Sequence, residues 1–159
     1  MKADKLRVIA VCAIWRNDAI LVQEGYEFST GETYYRLPGG GVEFGEYAVQ
    51  AAVREIREEL EAEVLDAHLL GVFENIFQEN DEHYHEIIFV CEGAVAEPLF
   101  YDQDEMIGHE GDEDIYRALW MPLADFAQGR AVLYPEGLVE LLQSHQKNHQ
   151  ESEQHVDPA

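Results

Sequence analysis

Positive charge is scarce in this sequence. Ten Lys and Arg stand against 33 Asp and Glu, which gives a formal net charge of −23 over 159 residues. A surface this negative repels phosphate backbones and anionic lipid headgroups, which excludes extended, non-specific binding to either. We therefore predict no nucleic-acid partner and no membrane partner.

Long hydrophobic segments are also missing. No apolar run approaches the roughly 20 residues of a transmembrane helix, and the charged N-terminus lacks the pattern of a secretory signal peptide. We expect neither export nor membrane spanning, and we predict a cytoplasmic location.

Cysteine is represented by only two residues, Cys12 and Cys91. Each lies in an apolar run typical of a strand, where a cysteine usually behaves as a small, buried, reduced side chain. We assign neither of them a redox or metal role.

Hydrophobic periodicity divides the rest of the chain into strands and helices. The patterns predict a hairpin of residues 6–14 with 19–23, strands over 32–37, 64–77, 85–91 and 116–121, and helices over 47–60, 123–128 and 135–143. This order predicts an α/β (α+β) fold with a mixed β-sheet between helices. We expect one domain over residues 1–144 and a polar, disordered tail over 145–159.

Carboxylates gather on one strip of the first predicted helix. At about 100° per residue, Glu55 and Glu59 lie roughly 40° apart, with Glu58 alongside them. Like charges at this spacing repel each other, so the strip calls for a compensating group. One interpretation is a solvated helix face with ion pairs such as Arg54 with Glu58. The other is a site for a hard divalent cation, Mg²⁺ or Mn²⁺, which takes oxygen ligands and lets an acidic protein bind a polyphosphate.

The spacing around this helix favours the second interpretation. Gly40 is followed by Glu46, then by Arg54-Glu55 and by Glu58-Glu59. In these positions the chain resembles the Nudix hydrolase family, whose box spans residues 40–62 here. Glu61 stands where the family has glycine, and Ala62 fills the last apolar position. The resemblance implies an α/β/α sandwich, which we extend over residues 6–143.

The resemblance also implies a catalytic apparatus. Glu55, Glu58, Glu59 and the main-chain carbonyl of Gly40 would ligate the metal. Arg54 would orient the carboxylates, and Glu46 would support the frame of loop and helix. The general base would be either a glutamate of the box or an acid from residues 101–114. Within that later segment, which also reads as a solvated flexible loop, Glu110 is our choice. The implied activity is Mg²⁺-dependent hydrolysis of a pyrophosphate link by an activated water.

The substrate is less well specified by the residues. Arg36 is a candidate phosphate contact, because the chain has few cations, and Gly39, Gly40, Gly41 and Tyr35 are further candidates for substrate binding. We predict a nucleoside diphosphate linked to another moiety, such as a nucleotide sugar, ADP-ribose or a nucleoside triphosphate.

Two other classes of function stay open at this point, namely a non-catalytic nucleotide sensor of Nudix type and an acidic partner-binding domain. A homodimer is possible, because small single-domain enzymes often form twofold dimers.

Overall fold

The architecture described here is that of a computed structural model, which describes residues 4–79 and 81–154. The ten strands are β1 (Leu6–Ala13), β2 (Trp15–Arg16), β3 (Ala19–Glu27), β4 (Glu32–Arg36), β5 (Gly39–Gly41), β6 (Val64–Glu79), β7 (Glu82–Val95), β8 (Glu105–Glu110), β9 (Asp114–Pro122) and β10 (Leu133–Tyr134). The helices are α1 (Ala48–Leu60), α2 (Leu123–Ala127) and α3 (Leu138–Gln154), with a 3₁₀ turn at Pro98–Asp102.

The strands form two sheets. One has the order β5-β1-β7-β6, and the other has the order β10-β4-β3-β9-β8, with β2 paired to β3. Both sheets are mixed, because β1 runs parallel to β7 and β10 runs parallel to β4, while their other neighbours are antiparallel.

Strand β1 has a helix on each side. Ala10 and Cys12 face the core cluster that includes the buried face of α1, whereas Val11 faces a second cluster that includes Leu138 and Leu142 of α3. Alternate residues of a strand point to opposite faces, which explains the division. The predicted α/β/α arrangement is therefore confirmed, and Cys12 and Cys91 are buried free thiols as expected.

Helix α1 agrees closely with the sequence prediction. The backbone N–H of Tyr47 donates to Oε1 of Gln50 at 3.0 Å at the start of the helix. The helix ends at Glu61, which adopts a left-handed conformation with φ 52° and ψ 37°. Ala51, Ala52 and Glu59 are among the buried residues of the helix.

The predicted hairpin of residues 6–14 with 19–23 is wrong. Strand β1 pairs with β5 and β7 in one sheet, while β3 belongs to the other sheet, and only the two-residue strand β2 forms a hairpin with β3. Because β1 is apolar on both faces in its second half, it is stabilised by packing between two layers rather than by pairing with its neighbour in sequence.

Two other segments differ from the secondary structure predicted for them. Residues 101–114, which also read as a flexible loop, contain strand β8, paired along its whole length with β9. The last helix continues to Gln154 instead of ending at residue 143. Its polar C-terminal residues lack an apolar face, but Gln, Lys and Glu are good helix formers. The rest of the predicted tail, 155–159, lies outside the described residues.

Within the described ranges, 4–79 and 81–154, we find no helix of the length and apolarity needed to cross a membrane.

Candidate active site

The glycine run lies directly against strand β1. Gly40 pairs with Ala10 and Gly39 with Val11. A Cβ atom on Gly39 would lie 2.1 Å from the carbonyl oxygen of Ala10. Glycine is therefore required here, because any larger residue would separate the two strands.

The second contact of the glycine run is with helix α1. A Cβ atom on Gly40 would lie 2.5 Å from Cδ of Glu55. The carboxylate of Glu55 therefore lies over the bare backbone of Gly40, which brings two of the predicted metal ligands together.

Arg54 links the loop to the helix. Its guanidinium donates to both carboxylate oxygens of Glu46 at 2.8 and 3.0 Å, and to the carbonyl oxygen of Gly41 at 2.9 Å. It also donates to Glu55 at 2.9 Å and to Glu58 at 3.1 Å. The hydrogen bond from Arg54, together with one from the backbone, lowers the pKa of Glu46. Three other predicted catalytic residues thus meet at the guanidinium of Arg54.

Glu59 lies deeper than the other carboxylates of the helix. It is 5% exposed, and its Oε2 accepts a hydrogen bond of 2.7 Å from the hydroxyl of Tyr116. The pKa of Glu59 is raised to about 8, mainly by burial and in addition by the charges of Glu55 and Glu110, against the hydrogen bond from Tyr116, which lowers it. Burial and the Glu59 carboxylate raise the pKa of Tyr116, so its hydroxyl keeps its proton and donates it to the bond.

Glu110 stands at the end of β8. Its Oε1 accepts a hydrogen bond of 3.3 Å from Nε2 of Gln23, which is itself buried. The charge of Glu110 acts on both Glu59 and Tyr116, so the structure brings this predicted base candidate to the carboxylates of α1.

A cavity of about 440 Å³ opens between the two sheets. Arg36 and Leu37 line it next to the glycine run, and its aromatic lining residues are Tyr34, Phe77, Tyr84 and Tyr134. All seven arginines of the chain lie in the described ranges, and Arg36 is the only one of them without an ion pair there. Its side chain lies 5.8 Å from the ring centre of Tyr34.

Tyr35 is not brought to this cavity. Its hydroxyl donates to Glu24 at 3.3 Å, and its ring packs edge-on against Phe126, 5.7 Å away. Tyr34 and Arg36, its neighbours on β4, line the cavity instead, because alternate residues of a strand face opposite ways.

The oxygen donors fit a hard divalent cation. The charge of Glu55 acts on Glu59, and Gly40 places no side chain between Glu55 and β1. Among the side chains that the structure describes, no three of His, Cys, Asp or Glu are already arranged to hold a metal ion. Glu55 and Glu58 are instead bonded to Arg54, and Glu59 is bonded to Tyr116.

Sequence reasoning missed Tyr116, Gly108 and Gln23. Tyr116 and Gln23 lie in predicted strands, but nothing local marks them as site residues. Gly108 pairs with Tyr116, and a Cβ atom on it would lie 2.1 Å from Cζ of that ring. Only the pairing of distant strands reveals this arrangement.

Comparisons with known proteins agree with this geometry. A family model described as "NUDIX domain" matches residues 5–145. A NUDIX hydrolase from Nitrosomonas europaea is similar in structure, with a TM-score of 0.64 and 21% identity, over 91% of this chain and 90% of that one.

Two further solved structures are similar to this chain. A MutT NUDIX hydrolase from Burkholderia pseudomallei has a TM-score of 0.54 and 27% identity, over 76% of this chain and 86% of that one. A protein described as an ADP compounds hydrolase has a TM-score of 0.61 and 14% identity, over 92% of this chain and 76% of that one.

Proposed function

The chain belongs to the NUDIX family and is a Nudix pyrophosphohydrolase, and from this premise we propose that it cleaves the pyrophosphate link of a nucleoside diphosphate joined to another moiety, using Mg²⁺ or Mn²⁺. The observation that carries the proposal is the gathering of Glu46, Glu55 and Glu58 around Arg54, with Glu55 against Gly40 and with Glu59 buried on the same helix.

Charge supports the need for a cation. A protein with a net charge of −23 repels a polyphosphate unless positive charge lies between them. The carboxylates of α1 are the kind of ligand that Mg²⁺ prefers, together with oxygens of a bound phosphate. We propose Glu55, Glu58, Glu59 and the carbonyl oxygen of Gly40 as the ligands. When bound, such a cation polarises the phosphoryl group and lowers the pKa of a coordinated water.

The protein's own groups prepare the reaction. Arg54 holds Glu46, Glu55 and Glu58 in one frame. Glu110, oriented by its hydrogen bond from Gln23, is our candidate for the group that accepts a proton from the attacking water. A glutamate of the helix, such as Glu58, is the other candidate for this role.

The cavity is suited to the nucleoside part of the substrate. The rings of Phe77 and Tyr84 are stacked at 5.0 Å with an interplanar angle of 11°. Tyr34 contributes a further ring to the lining. Arg36 lies between Tyr34 and the glycine run in sequence and lines the same cavity, and we propose that it binds a phosphate there. We propose that a base binds against these rings and that a diphosphate binds beside Arg36.

A phosphate-release screen tests the proposal. The panel contains nucleoside triphosphates, nucleotide sugars, dinucleoside polyphosphates and ADP-ribose, each with and without Mg²⁺. The ADP compounds hydrolase among the similar structures is the reason to include several ADP derivatives. We expect turnover of at least one substrate, and a loss of about two or more orders of magnitude in Glu59→Gln.

The outcomes of the screen are distinct. Equal turnover in wild type and Glu59→Gln would remove Glu59 from the mechanism. Tight binding of a nucleotide without turnover would contradict the hydrolase proposal and indicate a sensor. The cytoplasmic location and the homodimer stay predictions from the sequence.

A further inference from the structure

We propose that Tyr116 is a positioning residue for metal binding, whose hydroxyl holds the carboxylate of Glu59 in the orientation in which Glu59 binds a divalent cation. The inference rests on the proposed function, because it concerns the same carboxylates.

The contact joins two layers of the fold. Glu59 belongs to helix α1, whereas Tyr116 belongs to β9 of the sheet that contains β3 and β8. The hydroxyl donates to Oε2 of Glu59 at 2.7 Å, and both residues are buried. A hydrogen bond to a carboxylate in a buried setting is stronger than one between neutral groups, so it restricts the rotation of the Glu59 side chain.

Gly108 makes this contact possible. It lies directly opposite Tyr116 on the neighbouring strand, and the ring of Tyr116 crosses over it. A Cβ atom on Gly108 would lie 2.1, 2.4 and 2.6 Å from Cζ, Cε2 and Cε1 of the ring, distances that real contacts do not reach. Two positions on two strands are therefore needed to bring one hydroxyl to Glu59.

The hydroxyl of Tyr116 donates to Glu59 without carrying a positive charge, which distinguishes it from an arginine or lysine. Arg54 is ion-paired with Glu55 and Glu58. In the part of the chain that the structure describes, no lysine or arginine forms an ion pair with Glu59. A tyrosine hydroxyl fixes the direction of the carboxylate without placing a positive charge beside it, so a cation that binds Glu59 meets no competing positive charge from this donor. An arginine in the same place would compete with the metal.

The size of the effect can be anticipated. Removing a group that orients a metal ligand typically costs 10–100-fold in metal affinity. We expect Tyr116→Phe, which keeps the ring over Gly108 and removes only the hydroxyl, to raise the Kd for Mn²⁺ by about tenfold or more.

The test measures binding of Mn²⁺ alone, by electron paramagnetic resonance of the free ion, to the full chain without substrate. The matched control is Tyr101→Phe, because the Tyr101 hydroxyl also makes one hydrogen bond of 2.7 Å, accepting it from the backbone N–H of Val95. Thermal unfolding midpoints of all variants separate loss of fold from loss of affinity. We expect a weaker affinity in Tyr116→Phe only.

Two more variants sharpen the result. In a Glu59→Gln background, Tyr116→Phe should cause no further change in the Kd, because Tyr116 acts through Glu59. Gly108→Ala, which displaces the ring and keeps the hydroxyl, should also weaken Mn²⁺ binding, and it replaces Tyr116→Phe if that variant does not fold.

The inference is overturned if a folded Tyr116→Phe or Gly108→Ala variant binds Mn²⁺ as the wild type does, if the effect persists without Glu59, or if the wild type binds no Mn²⁺. A protein that binds Mn²⁺ with the expected dependence on Tyr116 but hydrolyses none of the nucleotides contradicts the proposed function alone.

Discussion

Glu55 and Gly40 are in such close contact that a Cβ atom on the glycine would lie 2.5 Å from the carboxyl carbon. The nearest atoms belong to the far end of a flexible side chain, so an added methyl group would displace the carboxylate rather than the backbone. The contact therefore ties the position of a proposed metal ligand to the absence of a side chain on the loop.

Replacing Gly40 by alanine tests this dependence. We expect Gly40→Ala to lower kcat/KM by about 10–100-fold, since the Glu55 carboxylate must move, with a change in the free energy of unfolding of at most about 1 kcal/mol. Steady-state kinetics and urea denaturation measure the two effects. Gly41→Ala adds the same methyl group where nothing lies within 4 Å, and it should cost much less activity. Equal losses in the two variants would contradict the prediction.

Arg36 gives a second prediction. Because Arg36 is exposed and forms no ion pair within the described ranges, Arg36→Gln should change the free energy of unfolding by no more than about 0.5 kcal/mol. If its charge contacts a substrate phosphate, KM should rise about tenfold or more, since a hydrogen bond to a charged group is worth about 1.5–3 kcal/mol.

The matched control for Arg36 is Arg117→Gln. This change removes the same charge from an arginine that pairs with Glu24 and Glu105 and does not line the cavity. Its KM should stay at the wild-type value. A rise of equal size in both variants would mean that net charge, and not a contact, is responsible.

Glu61 offers a stabilising change. Its φ of 52° lies in the left-handed region, where a side chain costs on the order of 1 kcal/mol relative to glycine. We expect Glu61→Gly to increase the free energy of unfolding by about this amount, measured by urea denaturation. Glu61→Ala keeps a Cβ atom in the same conformation and should give no such gain. A destabilised Glu61→Gly variant would show that the side chain has a stabilising role.

The buried thiols predict a response to alkaline pH. Burial raises the pKa of Cys12 to about 12, well above its ordinary value. The unfolded chain then loses the thiol proton at lower pH than the folded chain does. The free energy of unfolding should accordingly fall as the pH rises from the ordinary thiol pKa of about 9 towards 12.

Comparing wild type with Cys12→Ala isolates this effect. Both proteins are unfolded with urea at a series of pH values between about 8 and 11, a window that brackets the ordinary thiol pKa. The fall in the free energy of unfolding should be smaller in the variant. Parallel curves would indicate that Cys12 does not contribute to the pH dependence.

The sequence predicts the site residues that lie on helix α1, but not those that the pairing of distant strands brings to the site. The hydrophobic pattern with a 3.6-residue period predicts helix α1 and places Glu55 and Glu59 on one strip. This pattern can be read from residues that are close together in the sequence. Gln23 and Tyr116 enter the site because β3 pairs with β9 and β9 with β8. Such pairings depend on the packing of the whole chain.

The same distinction explains the failed hairpin. The turn signal at Asn17 and Asp18 predicts that the two flanking runs pair with each other. In the structure only Trp15 and Arg16 pair with β3 across this turn. Strand β1 pairs instead with β7, more than seventy positions along the chain, with Ile9 opposite Ile88 and Val11 opposite Val90. Burial between two helical layers outweighs the local preference.

Arg54 has a consequence for the metal-free form of the protein. Its guanidinium already forms hydrogen bonds with Glu46, Glu55 and Glu58, so these three side chains are held in place without a bound ion. Treatment with a chelator should then abolish the hydrolase activity while the protein stays folded, and adding the metal ion back should restore the activity. A cell could thus keep this protein in reserve, inactive and intact, whenever the metal is in short supply.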